Sequence, residues 1–167
     1  PEERSPAMAK DYSLQKVKVP LSPGERFAQF LQSKGKRVTH QRKLIVDVVF
    51  SHHDHFDADE LMEHLQELIS RREVSRPTIY RTLGELTEAG LIRKMDLAGR
   101  GVYEHQYGYP RHDHLHCEVC NRLIEFHSTQ LERIVSEVAA QHDFEVDGHR
   151  MFVTGVCAAC RRRKQNG

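Results

Sequence analysis

All four cysteines of the chain lie in two Cys-x-x-Cys turns, Cys117/Cys120 and Cys157/Cys160. Each turn aims two sulfurs at one centre, and two turns together offer the four thiolates that a structural Zn²⁺ takes in tetrahedral geometry. With no cysteine left over, this spacing points to zinc ahead of disulfides. The competing chemistry is a redox dithiol, which usually appears as a single motif on a βαβ unit. The 36 residues between the pairs exceed what a compact zinc ribbon uses. The ion would therefore staple the C-terminal strand to the first hairpin of its domain.

Histidine is the second chemical resource, at 12 residues of 167. His112-Asp113-His114 stands just before the first cysteine pair. In an extended strand alternate side chains share a face, so His112 and His114 can hold one ion while Asp113 points elsewhere. Imidazole with carboxylate suits Fe²⁺, Mn²⁺ or Zn²⁺ rather than Ca²⁺. A His-x-His alone more often marks surface or core histidines. Here Glu104, His105, His116, Glu125 and His127 crowd the same stretch, which strengthens the metal reading.

The elements that must position these residues follow from pattern and caps. Ser22 caps a helix over Pro23–Ser33, with Phe27, Phe30 and Leu31 on one face. Thr39 caps a second, in which Leu44, Ile45, Val48 and Val49 form the apolar stripe. After the loop Ser51–Phe56, Asp57 and Glu60 make a capping box for a third, with Leu61, Leu65, Leu68 and Ile69 as its buried stripe. A turn over Arg71–Ser75 leads to a fourth, capped by Ser75, carrying Ile79, Leu83 and Leu86 and stopped by Gly90. Leu91–Met95 and Val102–His105, joined by Ala98-Gly99-Arg100-Gly101, read as a β-hairpin. Helices followed by a hairpin make a winged helix-turn-helix. Gln106–Arg111 reads as a linker. Beyond it, Leu115–Cys117 and Leu123–Phe126 are short strands around the first cysteine turn. Ser128 or Thr129 caps a helix with Leu131, Ile134, Val135 and Val138 on one face. Phe144–Val156 alternates loosely as strand, and Arg161–Lys164 is a basic, solubilising end.

The expected fold is α+β. Residues 22–104 form a winged-helix domain, 105–111 a hinge and 112–160 a second domain holding the cysteines. Residues 1–21 form an arm, of which Pro1–Ala7 fits no element, and 161–167 a basic tail. The composition, 38% hydrophobic and 29% charged, is that of a globule and too apolar for a disordered chain. No run reaches the roughly 18 apolar residues of a membrane helix, and no signal-peptide pattern opens the chain. A cytoplasmic protein is expected. The net charge is +1, with 17 basic and 16 acidic residues through Glu104 and 8 of each after it. Any nucleic-acid surface must therefore come from local clustering.

RPTIYRTL in the fourth helix, GVYEH in the hairpin, HDHLHCEVC followed by NRLIEF, and the C-terminal CAAC together resemble the ferric uptake regulator (Fur) family. The resemblance covers about residues 22–160. It implies a homodimeric, metal-responsive transcription repressor, with an N-terminal winged helix and a C-terminal α/β dimerisation domain carrying structural zinc. It implies a regulatory ion between the domains, held by His55, Glu104, His112, His114 and Glu125. His52 and His53 are substitutes for His55. An additional site in the dimerisation domain would use Asp113, Glu132 and His149, but its fourth position is Arg111, which cannot ligate a cation. Zinc-sensing relatives often carry Cys where Glu104 stands, and peroxide-sensing ones carry Asp at the position of Glu125. The His/Glu set therefore favours Fe²⁺, with Mn²⁺ next and Zn²⁺ able to substitute.

The implied partner is double-stranded, A/T-rich palindromic operator DNA. A winged helix lays its last helix in the major groove. Tyr80 and Arg81 match the family's contact positions, and Arg76 at the helix start would hold phosphate. Arg can bridge guanine O6 and N7, and Tyr can pack on a thymine methyl. Lys34, Lys36, Arg37, Arg42 and Lys43 are five bases without an acid. Beside a helix-turn-helix they read as backbone contacts, and Arg37 aligns with a residue that the resembling proteins place in the minor groove. The chain is not expected to be an enzyme. The competing class is a metalloenzyme using His112, His114 and a carboxylate, but no helical His-Glu-x-x-His or evident nucleophile accompanies them. A third reading is a zinc-stabilised DNA-binding protein without a sensing role.

Overall fold

The computed structural model describes residues 17–165, so the expectation for Pro1–Ala7 lies outside the described residues. The chain divides into two compact units, the first ending at Tyr109 and the second starting at Pro110. The first contains α1 (Pro23–Ser33), α2 (His40–Ser51), β1 (Phe56–Asp57), α3 (Ala58–His64), α4 (Gln66–Ser70), α5 (Arg76–Glu88), β2 (Ile92–Leu97) and β3 (Arg100–His105). Its helices start where local hydrogen bonds can begin them. Ser22 Oγ accepts from the Glu25 amide at 3.2 Å while Glu25 Oε2 accepts from the Ser22 amide at 2.7 Å. Asp57 and Glu60 do the same for α3, a reciprocal cap that satisfies two otherwise orphaned amides.

The core of this unit gathers one face from each helix: Phe27 and Leu31, Ile45 and Val49, Leu61, then Ile79, Leu83 and Leu86. Leu91, Ile92 and Tyr103 close it from the wing. β2 and β3 form the expected hairpin, and β1 adds to its far edge, giving an antiparallel sheet of order β1-β3-β2.

Two local expectations change. The third helix is interrupted at Leu65 (φ −92°, ψ 1°), a bend that keeps Leu65 fully buried and leaves Leu68 and Ile69 partly covered. Ser75 has the extended backbone of an N-cap, but its hydroxyl meets Thr78 Oγ1 at 2.8 Å instead of an amide. Pro77 removes one of the amides such a cap would serve.

The second unit contains β4 (Asp113–Cys117), β5 (Leu123–Phe126), α6 (Thr129–Gln141), β6 (Phe152–Gly155) and α7 (Ala158–Gln165). Ser128 caps α6 by accepting from the Leu131 amide. The sheet runs β5-β4-β6, with β5 antiparallel and β6 parallel to β4. A parallel partner needs a crossover, and the connection through α6 carries the chain to the far side of β4. The strand expected over 144–156 is four residues long, preceded by irregular chain. Asp143 sits at φ 50° and Asp147-Gly148 follows, all residues that favour turns over strand. The stretch read as a basic tail begins inside α7.

This unit buries little apolar side chain. Among the described residues only Cys117, Ala139 and Cys160 are buried apolar positions in it. Leu115, Ile124, Ile134, Val138, Phe144, Phe152 and Val153 are exposed in the single chain. So few buried groups cannot by themselves fix a domain of this size.

Candidate metal centres and nucleic-acid interface

Cys117 ends β4, Cys120 follows in the turn, Cys157 lies just past β6 and Cys160 in the first turn of α7. Strand pairing brings the two turns together, since Cys117 and Gly155 are partners between β4 and β6. All four sulfurs are free thiols lying within 4.8 Å of one another. Cys120 and Cys157 are separated by 3.8 Å between Sγ atoms. Bonds of 2.3 Å to a tetrahedral Zn²⁺ place sulfurs about 3.8 Å apart, so the donors fit that ion. Asn121 takes the left-handed conformation that closes the turn (φ 58°) and bonds back to the Cys117 carbonyl at 2.8 Å.

The thiols are electrostatically unequal. The Cys157 amide donates to Cys117 Sγ at 3.3 Å. That bond and further amides from the Cys120 turn hold the Cys117 thiol at about 6. Burial and the neighbouring sulfurs push Cys160 up to about 12. The Cys160 amide lowers Cys157 as well, so Cys117 and Cys157 lean toward thiolate while buried Cys160 resists ionising without a cation beside it.

The imidazole–carboxylate group is built from the hairpin of the second unit. His114 pairs directly with Glu125 across β4 and β5, and His112 is on the same face because strand side chains alternate. The ligand atoms of His112, His114 and Glu125 lie within 4.8 Å of one another. His112 Nδ1 meets the Pro110 carbonyl at 2.9 Å. A carbonyl only accepts, so Nδ1 carries the proton and Nε2, 3.6 Å from Glu125 Oε1, is the atom that would face a metal ion. The fully buried His114 ring stacks on Phe152 at 4.8 Å and 11°. Two imidazoles and one carboxylate on a rigid hairpin fit a divalent transition ion better than Ca²⁺.

Glu104 and His55 belong to the first unit. β1 pairs with β3 as Phe56 with Tyr103 and Asp57 with Val102, so the next position brings His55 across from Glu104. The two side chains meet at 3.4 Å, and Arg93, opposite Glu104 on β2, also bonds its carboxylate. Of the remaining candidates, Asp113 is buried. It accepts from the Met151 amide at 2.8 Å and lies 3.2 Å from His149 Nε2. Glu132 faces His127 instead, at 4.0 Å. The Arg111 guanidinium lies against Gly148, where an added methyl would sit 2.9 Å from Nη1.

α5 presents two faces. Ile79, Thr82, Leu83 and Leu86 are buried, whereas Arg76, Tyr80 and Arg81 are exposed, Tyr80 by 52%. An aromatic of that size left in water between two arginines suits a helix that reads a groove. Three members of the other basic cluster have acidic partners within the chain. Lys36 and Arg42 both pair with the buried Glu85, and Lys34 pairs with Glu88. Among the described residues, Arg37 and Lys43 form no ion pair. Sequence reasoning missed Glu85, because its partners lie 43 and 49 residues away.

The model of the ferric uptake regulator family matches residues 33–154. The chain is 30% identical over 139 residues to the ferric uptake regulation protein of Campylobacter upsaliensis, covering 83% of this chain and 89% of that one. It is 33% identical over 135 residues to the peroxide-responsive repressor of Staphylococcus epidermidis, covering 78% and 85%. The crystal structure of the Vibrio cholerae ferric uptake regulator superposes with a TM-score of 0.64 at 30% identity, covering 77% of this chain and 98% of that one. A family model matched over most of the chain and relatives covered nearly end to end settle the kinship: the chain belongs to the ferric uptake regulator family of transcription regulators.

Proposed function

We propose that this protein is an iron-responsive transcription repressor that binds operator DNA as a homodimer. The observation that carries the reading is the convergence of His112, His114 and Glu125 on one hairpin, in a unit separate from the exposed reading helix α5. An ion taken up there that also recruits His55 and Glu104 ties the DNA-binding unit to the dimerising one. It favours one arrangement of the two reading helices, and so one half-site spacing. Moving such an equilibrium from 1:99 to 99:1 takes a differential affinity of about 10⁴, roughly 5.5 kcal/mol. Five ligands supply that on a scale that a single His pair does not. Fe²⁺ suits the all-imidazole and carboxylate set, with Mn²⁺ as its nearest substitute. The four thiols hold zinc as a structural ion, because a closed thiolate site leaves no position for exchange. The exposed apolar groups on β4, β5, α6 and β6 are the surface that a second copy covers.

Arg76, Tyr80 and Arg81 read the duplex from α5, with Arg37 on the adjacent backbone or minor groove. The reading is tested by replacing His112 and His114 together with alanine. The variant is expected to keep its zinc and its dimeric state while losing Fe²⁺- or Mn²⁺-dependent duplex binding. Unchanged metal-dependent binding would refute it.

A further inference from the structure

We propose that Glu85, an acid on the DNA-reading helix, is a positioning residue that strengthens operator recognition without touching DNA. The inference rests on the DNA-binding reading above. Glu85 is 4% exposed. Its two oxygens accept from Arg42 Nε at 2.9 Å and Arg42 Nη2 at 2.8 Å, the two-pronged arrangement that fixes direction as well as distance. Lys36 Nζ adds a third bond at 2.9 Å. The remaining Arg42 nitrogen, Nη1, donates to the Arg37 carbonyl at 2.9 Å. One carboxylate on α5 thereby sets the backbone that carries Arg37 and fixes it relative to the helix that carries Arg76, Tyr80 and Arg81. Arg37 is exposed and in no ion pair among the described residues, so the clamp holds its backbone and leaves its guanidinium available.

Two roles for Glu85 predict opposite signs. A carboxylate that merely sits near DNA repels phosphate, and removing it frees two cations and tightens binding to any duplex. A carboxylate that positions Arg37 loses specific binding when removed, even though the surface becomes more positive.

The test compares wild type with Glu85→Gln, Glu88→Gln and the double variant Glu85→Gln/Arg42→Met, which leaves no unpaired buried charge. Each is measured as zinc-containing dimer with Mn²⁺ present, on an A/T-rich palindromic duplex and a scrambled duplex of equal length, over a range of salt. Amide exchange is followed without DNA. For Glu85→Gln we expect faster exchange over residues 37–43. Binding to the palindrome should weaken about tenfold, the scale of one lost charge-assisted arrangement. Scrambled-duplex binding should be equal or tighter, with a salt slope steeper by about 0.9 for each freed cation that finds a phosphate. The double variant should share the loss of palindrome binding, and Glu88→Gln, whose pair is exposed, should not. Parallel tightening on both duplexes, or unchanged exchange over 37–43, would overturn the proposal. Wild-type protein that binds neither duplex, with exchange still faster in the variant, would overturn the DNA-reading role and leave the clamp standing.

Discussion

Removing the cation from the four-cysteine site should unfold the C-terminal unit while the N-terminal unit keeps its structure. Of the buried apolar residues described, seventeen from Phe27 to Tyr103 lie in the first unit and three in the second. Two of those three, Cys117 and Cys160, are themselves thiol donors, and the third is Ala139. Burying such small groups contributes on the order of 1 kcal/mol each. A structural zinc held by thiolates contributes about 10–16 kcal/mol at neutral pH, more than the whole stability of a typical domain, about 5–15 kcal/mol. A zinc ion at this site would therefore stabilise the unit more than its buried side chains do, and a dimer surface on this unit would form only once it has folded. Stripping the ion with a strong chelator, or replacing Cys120 with serine, should turn a dimer into a monomer by light scattering. Circular dichroism should show a melt that retains only the transition of residues 17–109. A stripped protein that remains dimeric with its full melt would refute the reasoning.

The acid behaviour of the first unit follows from two carboxylates held low. Burial alone would raise Glu85, but its bonds to Arg42 and Lys36 outweigh that and bring it below its ordinary value of 4.5. Amide donation from Glu60 lowers Asp57. A lowered carboxylate stabilises the fold above its unfolded value and loses that contribution as pH falls through the folded one. The melting temperature should thus stay level from pH 7 to about 5 and fall below about 4.5. Asp57→Asn should melt lower than wild type at pH 7 and draw closer to it as pH falls below the ordinary aspartate value of 3.8, and parallel curves would contradict the assignment. Leu83, 1% exposed where α5 meets the core, should cost about 2–5 kcal/mol on truncation to alanine. Chemical denaturation of the first unit checks this, and a loss below 1 kcal/mol would mean that the site collapses or is less tightly packed than its burial indicates.

What could be read from the sequence was local. The caps at Ser22 and Asp57 form bonds within three residues, so the helix starts were legible. The four cysteines were legible because chemistry restricts what two such turns can do, and the α+β winged-helix class followed from the caps and the hairpin. The longer-range features were not. β1 is two residues long and exists only because Tyr103 and Val102 offer an edge. The bend at Leu65 follows from tertiary burial, and the parallel pairing of β6 depends on the crossover through α6. Glu85 looked like one more surface acid on a helix. Its two cationic partners come from the segment before and the first turn of α2, and no periodicity links them. The same pairing gives Lys36 and Arg42 an internal partner that the run of bases did not reveal.

The most direct measurement of metal-controlled DNA binding is fluorescence anisotropy of a labelled A/T-rich palindromic duplex, titrated with protein that keeps its zinc. Fe²⁺ under anaerobic conditions, or Mn²⁺, is added first and mild chelator afterwards. Tight binding that requires the added ion and reverses on chelation is the expected result. Equal affinity with and without the ion would contradict it, leaving a zinc-stapled winged helix in which His112, His114 and Glu125 do not control DNA binding.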